Sequence, residues 1–286
     1  MTVSFDESEH VPDRFNRNSH GWPRIVCPLS GKVVAMQRPS GMWKLVFDSF
    51  TIERWTTRRR AVGFGLRPEL GVLAASLGVD AGSELDAVSS NAAVAGGAQE
   101  AATMGTALHA LLERWGRGVP VGPVPPVLEA DWAATLAVLE DWQVVPVAVE
   151  QFVVWRPDLV CGAAGSADLF ATTNRTDGVV VIDLKTSSSA MNVQRLLQMS
   201  LQLGVYANHT HQWDGSREPL REPVAGMNRS DGLVLHCERG TGSASMLSLD
   251  MGVGLELAEL ACAVRAARQD AKRVLTSIAD VKKGEV

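Results

Sequence analysis

Asp183 and Lys185 close the apolar run Val179-Val180-Val181-Ile182-Asp183-Leu184-Lys185-Thr186 with an acid and a base on alternate positions. On a strand, the period of two puts both side chains on one face, where the buried run gives out. A carboxylate and an ammonium at the rim of a core need partners, and a metal ion with a phosphate supplies both. Upstream, Ala163-Ala164-Gly165-Ser166-Ala167-Asp168-Leu169-Phe170 reads as a neighbouring strand, joined through the turn-rich residues 172–178. A hairpin of this kind brings Asp168 near Asp183. Two carboxylates and a lysine together suit a hard divalent cation and hydrolysis of a phosphodiester by metal-bound water. The same residues also fit an edge strand on which Lys185 discourages further pairing and Asp183 is its ion-pair partner.

The elements that must position these groups follow from periodicity. Residues 99–115 predict a helix with Ala101, Met104, Leu108, Leu111, Leu112 and Trp115 along one apolar stripe, His109 beside it and Glu113 a turn further on. Residues 127–142 predict another helix carrying Trp132 and Trp142. The period then switches, and 144–155 reads as the first strand of a sheet with Glu150 in its middle. A glutamate among valines needs a partner: Lys185, an arginine or a metal. Beyond Lys185, the serines 187–189 offer helix caps for residues 191–208, where Gln194, Gln198, Gln202 and Tyr206 form one polar stripe. His209 and His211 at the end of that helix read as surface residues. Strands are expected at 232–238 and 243–250, and a closing helix over 255–278.

Before the first of these helices the pattern is looser. Residues 1–43 are rich in Pro, Asn, Ser and Gly and give little regular structure. A helix begins near Ser49 and carries Arg54, Arg58, Arg59 and Arg60 beside Trp55, the densest basic cluster of the chain and a candidate for contact with a phosphate backbone. Short helices follow over 68–77 and 84–95.

Composition sets the limits. The chain has 286 residues, 46% hydrophobic and 21% charged, enough for a substantial core as one large domain or two small ones. A formal net charge of -5 argues against a surface coated in nucleic-acid-binding charge while leaving room for a local basic groove. The polar, acidic start lacks a signal-peptide pattern and no apolar run is long enough to span a bilayer, so a cytoplasmic location away from the membrane is expected. Four scattered cysteines, Cys27, Cys161, Cys237 and Cys262, form no C-x-x-C pair.

The ordered set of a helix histidine in Gly105-Thr106-Ala107-Leu108-His109, Glu150, Gly165-Ser166-Ala167-Asp168, Asp183-Leu184-Lys185 and Gln202-Leu203-Gly204-Val205-Tyr206 resembles the PD-(D/E)xK nuclease superfamily, in particular its RecB-like branch of phage and CRISPR-associated exonucleases. The resemblance covers about 99–208. It implies an α/β fold: a restriction-endonuclease-like core, with a central mixed sheet flanked by helices, over 98–286 and an irregular segment with a helical arm over 1–97. It further implies that His109, Asp168, Asp183 and the Leu184 carbonyl hold Mg2+ or Mn2+, and that Lys185 orients or deprotonates water or holds the scissile phosphate. Glu150 would support the site. Gln198, Gln202 and Tyr206, with Arg54, Arg58 and Arg59, would contact DNA. The cysteines lack the grouping of the family's iron-sulfur members, so no iron-sulfur cluster is expected. The implied activity is a DNA exonuclease of phage or bacterial recombination, repair or DNA processing. It would act on single- or double-stranded ends, with a recombinase or single-strand-annealing protein as a further partner. A structure-specific endonuclease and an inert DNA-end clamp share the same motifs.

Overall fold

A computed structural model describes residues 16–27, 30–157, 161–214 and 220–275. Its centre is a six-stranded mixed sheet built from β3 (Val145–Trp155), β4 (Ala163–Thr172), β5 (Val180–Ser187), β6 (His211–Gln212), β7 (Asp231–Glu238) and β8 (Ser243–Asp250). The spatial order is β6-β3-β4-β5-β7-β8, antiparallel except where β5 and β7 run parallel. The expected α/β architecture is therefore present, and β5 lies in its interior. Protection of an edge strand gives no reason for Lys185.

Helices cover both faces, which is why β5 is apolar at consecutive positions rather than at alternate ones. On one face, Leu108, Leu111 and Leu112 of α5 (Ala98–Gly116) and Trp132 and Leu139 of α6 (Glu129–Asp141) pack on Leu169, Val180, Ile182, Leu184, Leu233 and Leu235. On the other, Leu203, Tyr206 and Ala207 of α7 (Val193–Ala207) meet Phe170, Val181 and Val234. The closing helix α8 (Met251–Leu275) crosses α7 so closely that a Cβ on Gly204 would lie 2.7 Å from the Gly254 carbonyl carbon, and one on Gly254 would collide with the Ser200 carbonyl. No helix of the described residues is long and apolar enough to cross a membrane.

The loosely patterned N-terminal part holds more order than its composition gives. A small antiparallel pair, β1 (Arg24–Val26) and β2 (Val33–Ala35), is followed by α1 (Pro39–Met42). Ile25 and Met36 bury against Phe152, Val154 and Ala164. The arm consists of α2 (Phe50–Leu66), α3 (Pro68–Leu77) and α4 (Gly82–Ala95) around a small core of Leu70, Val88 and Ala92. There α2 and α4 approach so closely that a Cβ on Gly63 would collide with the Ala92 carbonyl.

Candidate active site

β4 and β5 part company at the middle of the sheet. Their antiparallel register runs Ala171↔Val180, Phe170↔Val181 and Leu169↔Ile182 and stops there, while β5 continues alongside β7. The flank of β4 that β5 leaves is partly taken by the chain before α1, where Ala164 N–H donates to the Gln37 carbonyl at 3.0 Å. The next residues on each strand are Asp168 and Asp183, which therefore sit at the fork. The hairpin brings the two carboxylates together as the sequence predicts.

Each carboxylate has its own partners. Asp168 Oδ2 accepts from the Leu184 backbone N–H at 2.7 Å and lies 3.1 Å from His109 Nδ1. His109 reaches the fork because α5 passes close to the end of β5: a Cβ on Gly105 would stand 3.1 Å from Thr186 Oγ1. Asp183 Oδ1 accepts from Gln202 Nε2 at 2.8 Å, and Oδ2 is ion-paired with Lys185 Nζ. Although it faces the ammonium, that buried Oδ2 has no aligned hydrogen bond.

Burial opposes the charge on Asp168, but His109, Lys185 and the Leu184 N–H outweigh it and hold the carboxyl below its ordinary range. Burial likewise opposes the imidazolium of His109, and Asp168 outweighs it and raises the histidine. A simple ion pair lowers its acid and raises its base. Here only the base follows: burial is offset at Lys185 by Asp183 and Asp168, so its pKa rises, whereas Asp183, only 2% exposed and beside a second carboxylate, is also raised. We take Lys185 as the ammonium and assign the cost of desolvation to Asp183.

Glu150 comes in from β3 opposite Asp168, between the registered pairs Val149↔Leu169 and Gln151↔Ala167. It has a φ of 48°, a left-handed conformation rare inside a strand and costly for a residue with a Cβ. Burial, Asp168 and Glu113 raise its carboxyl to about 7. Among the described residues it has no ion pair, so the Lys185 or arginine partner expected from its setting is not there; Glu113 itself pairs with Arg117 at 2.7 Å.

Tyr206 is buried, and its hydroxyl lies 3.4 Å from where a Cβ on Gly165 would be. The tighter neighbour of that glycine is Pro39, whose Cδ would stand 3.0 Å from the added Cβ. Burial, then Asp183 and Asp168, raises the Tyr206 pKa well above its ordinary value, so it remains a hydrogen-bond donor. Gln198 is half-buried, on the turn of α7 before Gln202.

Arg54 and Arg59 of α2 have partners of their own within the helical arm. Arg54 lies over the Phe50 ring at 5.2 Å and Arg59 over Trp55 at 5.5 Å, while Arg59 also donates to the Gly96 carbonyl at 2.7 Å and ties α2 to the end of α4. Arg58 is exposed. The arginines whose charges reach the site groups are instead Arg38 at Tyr206, Arg117 at Glu150 and Arg195 at Lys185. Nothing in their local sequence marks them, since each lies outside a basic cluster.

Two further expectations are corrected. His209 is buried, with Nδ1 2.7 Å from the Tyr206 carbonyl and Nε2 accepting from Val224 N–H at 2.9 Å, so it is a satisfied core residue and not a surface one. The cap of α7 is Asn192, whose side chain accepts from Arg195 N–H at 2.9 Å, and not one of the serines. Ser187 Oγ is engaged with His236 Nε2 at 2.7 Å.

As a donor set, two carboxylates, the Leu184 carbonyl and one imidazole fit a hard divalent cation, and Asp183 Oδ2 is a buried donor atom still lacking an aligned bond. Among the described residues no three His, Cys, Asp or Glu side chains already converge as a cage. Lys185 occupies Asp183 and His109 occupies Asp168, so taking up a cation requires these internal counter-charges to give way. A scan against protein-family models gave no match, and neither did a search of curated proteins.

Proposed function

We propose that this chain is a Mg2+- or Mn2+-dependent deoxyribonuclease of the PD-(D/E)xK, RecB-like kind, acting as an exonuclease on DNA ends. The observation that carries the proposal is the fork between β4 and β5, which gathers Asp168, Asp183 and Lys185 at one point within the sheet, with His109 and Gln202 against the two carboxylates. Asp168, Asp183, His109 and the Leu184 carbonyl are the groups to hold the cation. When bound, it supplies Lewis acidity at the phosphate and lowers the pKa of a water.

The protein's own groups do the rest. Gln202 fixes the rotation of the Asp183 carboxylate, and the Leu184 N–H fixes that of Asp168. Lys185, held as an ammonium, acts as a donor that stabilises charge on a phosphate oxygen rather than as a base. Tyr206 keeps its proton beside the two aspartates. The test compares end-labelled linear DNA with a covalently closed circle, each with Mn2+ or with chelator. Loss of linear DNA from its ends with the circle intact is expected. Cutting of the circle would replace the exonuclease by an endonuclease, and retardation without cutting by a binding module.

A further inference from the structure

Beyond Lys185, the end of β5 meets two arginines with no acid paired to neutralise them among the described residues. Arg239 begins the turn after β7, and its N–H donates to the Ser187 carbonyl at 2.8 Å, which ties that turn to the last residue of β5. The parallel register sets His236 beside Lys185 and Glu238 beside Ser187. Arg195 stands in the first turn of α7, where its positive charge opposes the helix dipole. Among the described residues neither arginine has an ion pair, and neither side chain makes a hydrogen bond. Two like charges gathered at one edge favour an anion there, although Arg195 is exposed to water.

The two guanidiniums are close enough to interact: burial and then Arg239 lower the Arg195 pKa, and the Arg195 charge also reaches Lys185 and His236. Two carboxylates reach the same edge: Glu238, beside His236, and Asp131, which accepts from Gly240 and Gly242 N–H just after Arg239. A cleft of about 290 Å³ adjoins it, with Met191, Leu196 and Leu247 among its lining and His236 and Glu238 at its polar side. Apolar walls of this kind suit a sugar and a base, and guanidiniums suit phosphate oxygens bidentately.

We infer that Arg195 and Arg239 grip backbone phosphates of the DNA strand next to the one at Lys185, so that the strand leaves the fork over the end of β5. The inference rests on the nuclease proposal and adds to it a strand path. Binding of a short duplex with a single-stranded tail is measured in chelator, so that nothing is cut, over a series of salt concentrations. Arg195→Gln and Arg239→Gln should each weaken binding and flatten the plot of log affinity against log salt by about 0.7 to 0.9. Arg195→Lys and Arg239→Lys should restore the slope. With Mn2+, the glutamine variants should raise KM and leave kcat near wild type. An unchanged slope in a double glutamine variant, with the wild type still binding, overturns the strand path and leaves the nuclease proposal standing. Failure of the wild type to bind DNA at any salt overturns both. Because the two charges repel, Arg195→Gln should melt no lower than wild type, and a clear fall in Tm would show that the guanidinium serves the fold instead.

Discussion

Glu150 is the residue at which the chemistry of the fork and the stability of the fold meet. Its carboxyl is raised to about 7 from the ordinary 4.5, chiefly by burial, so the folded protein keeps a proton there that the unfolded chain has already lost. The native state binds more protons than the unfolded state between those two values, and stability must fall as pH rises from about 4.5 through about 7 and level off above. Glu150→Gln removes the titration. Its gain over wild type should be absent near pH 4 and reach up to about 3 kcal/mol above pH 7, since each tenfold change in proton affinity is worth roughly 1.4 kcal/mol. Urea unfolding of both proteins across pH, in chelator, checks it; parallel profiles would show that Glu150 is ionised in the fold. At this scale the sequence was informative where a residue's neighbours are close along the chain, as with Asp183 and Lys185. It misled at His209, whose polar ring is satisfied by Val224 on a distant loop, and it could not mark Arg195 and Arg239, which come together only through the pairing of β5 with β7.

At the scale of elements, the glycines separate close packing from open surface. Gly254 lies where α8 crosses α7, and a Cβ there meets the Ser200 backbone, which cannot yield without parting the helices. Gly254→Ala should cost about 3 kcal/mol, the upper range for overpacking a core. Gly71, inside α3 with nothing within 4 Å of its would-be Cβ, should instead gain about 0.5 to 1 kcal/mol on becoming alanine, because the unfolded chain loses freedom. Denaturant midpoints decide both signs. The long elements were legible because their apolar periods are unbroken: α5, α6, β3, β7 and β8 lie within a few residues of their expected bounds. The brief β1, β2 and β6 have no period to read: β1 and β2 pair locally and are held by Ile25 and Met36 packing on the distant Phe152, Val154 and Ala164, and β6 exists through β3, far along the chain. The distal end of the closing helix, expected to run to 278, passes outside the described residues after Leu275.

For the whole molecule, alternation and turn signals foretell an α/β sheet but not its order. That β5 should leave β4 halfway and continue beside β7 depends on the helices filling both faces and on residues 37–39 approaching the flank it leaves. This departure creates the fork, and the assignment of function stands or falls on what the fork does. The most direct measurement is release of acid-soluble nucleotides from linear DNA by wild type and Lys185→Ala, each with Mg2+, Mn2+ or chelator. Wild type should release nucleotides only with metal, and Lys185→Ala should be slower on the order of a hundredfold or more, as for loss of a donor to developing negative charge. A wild type inert with both metals, or a Lys185→Ala variant as fast as wild type, would contradict the assignment of this site as a nuclease centre.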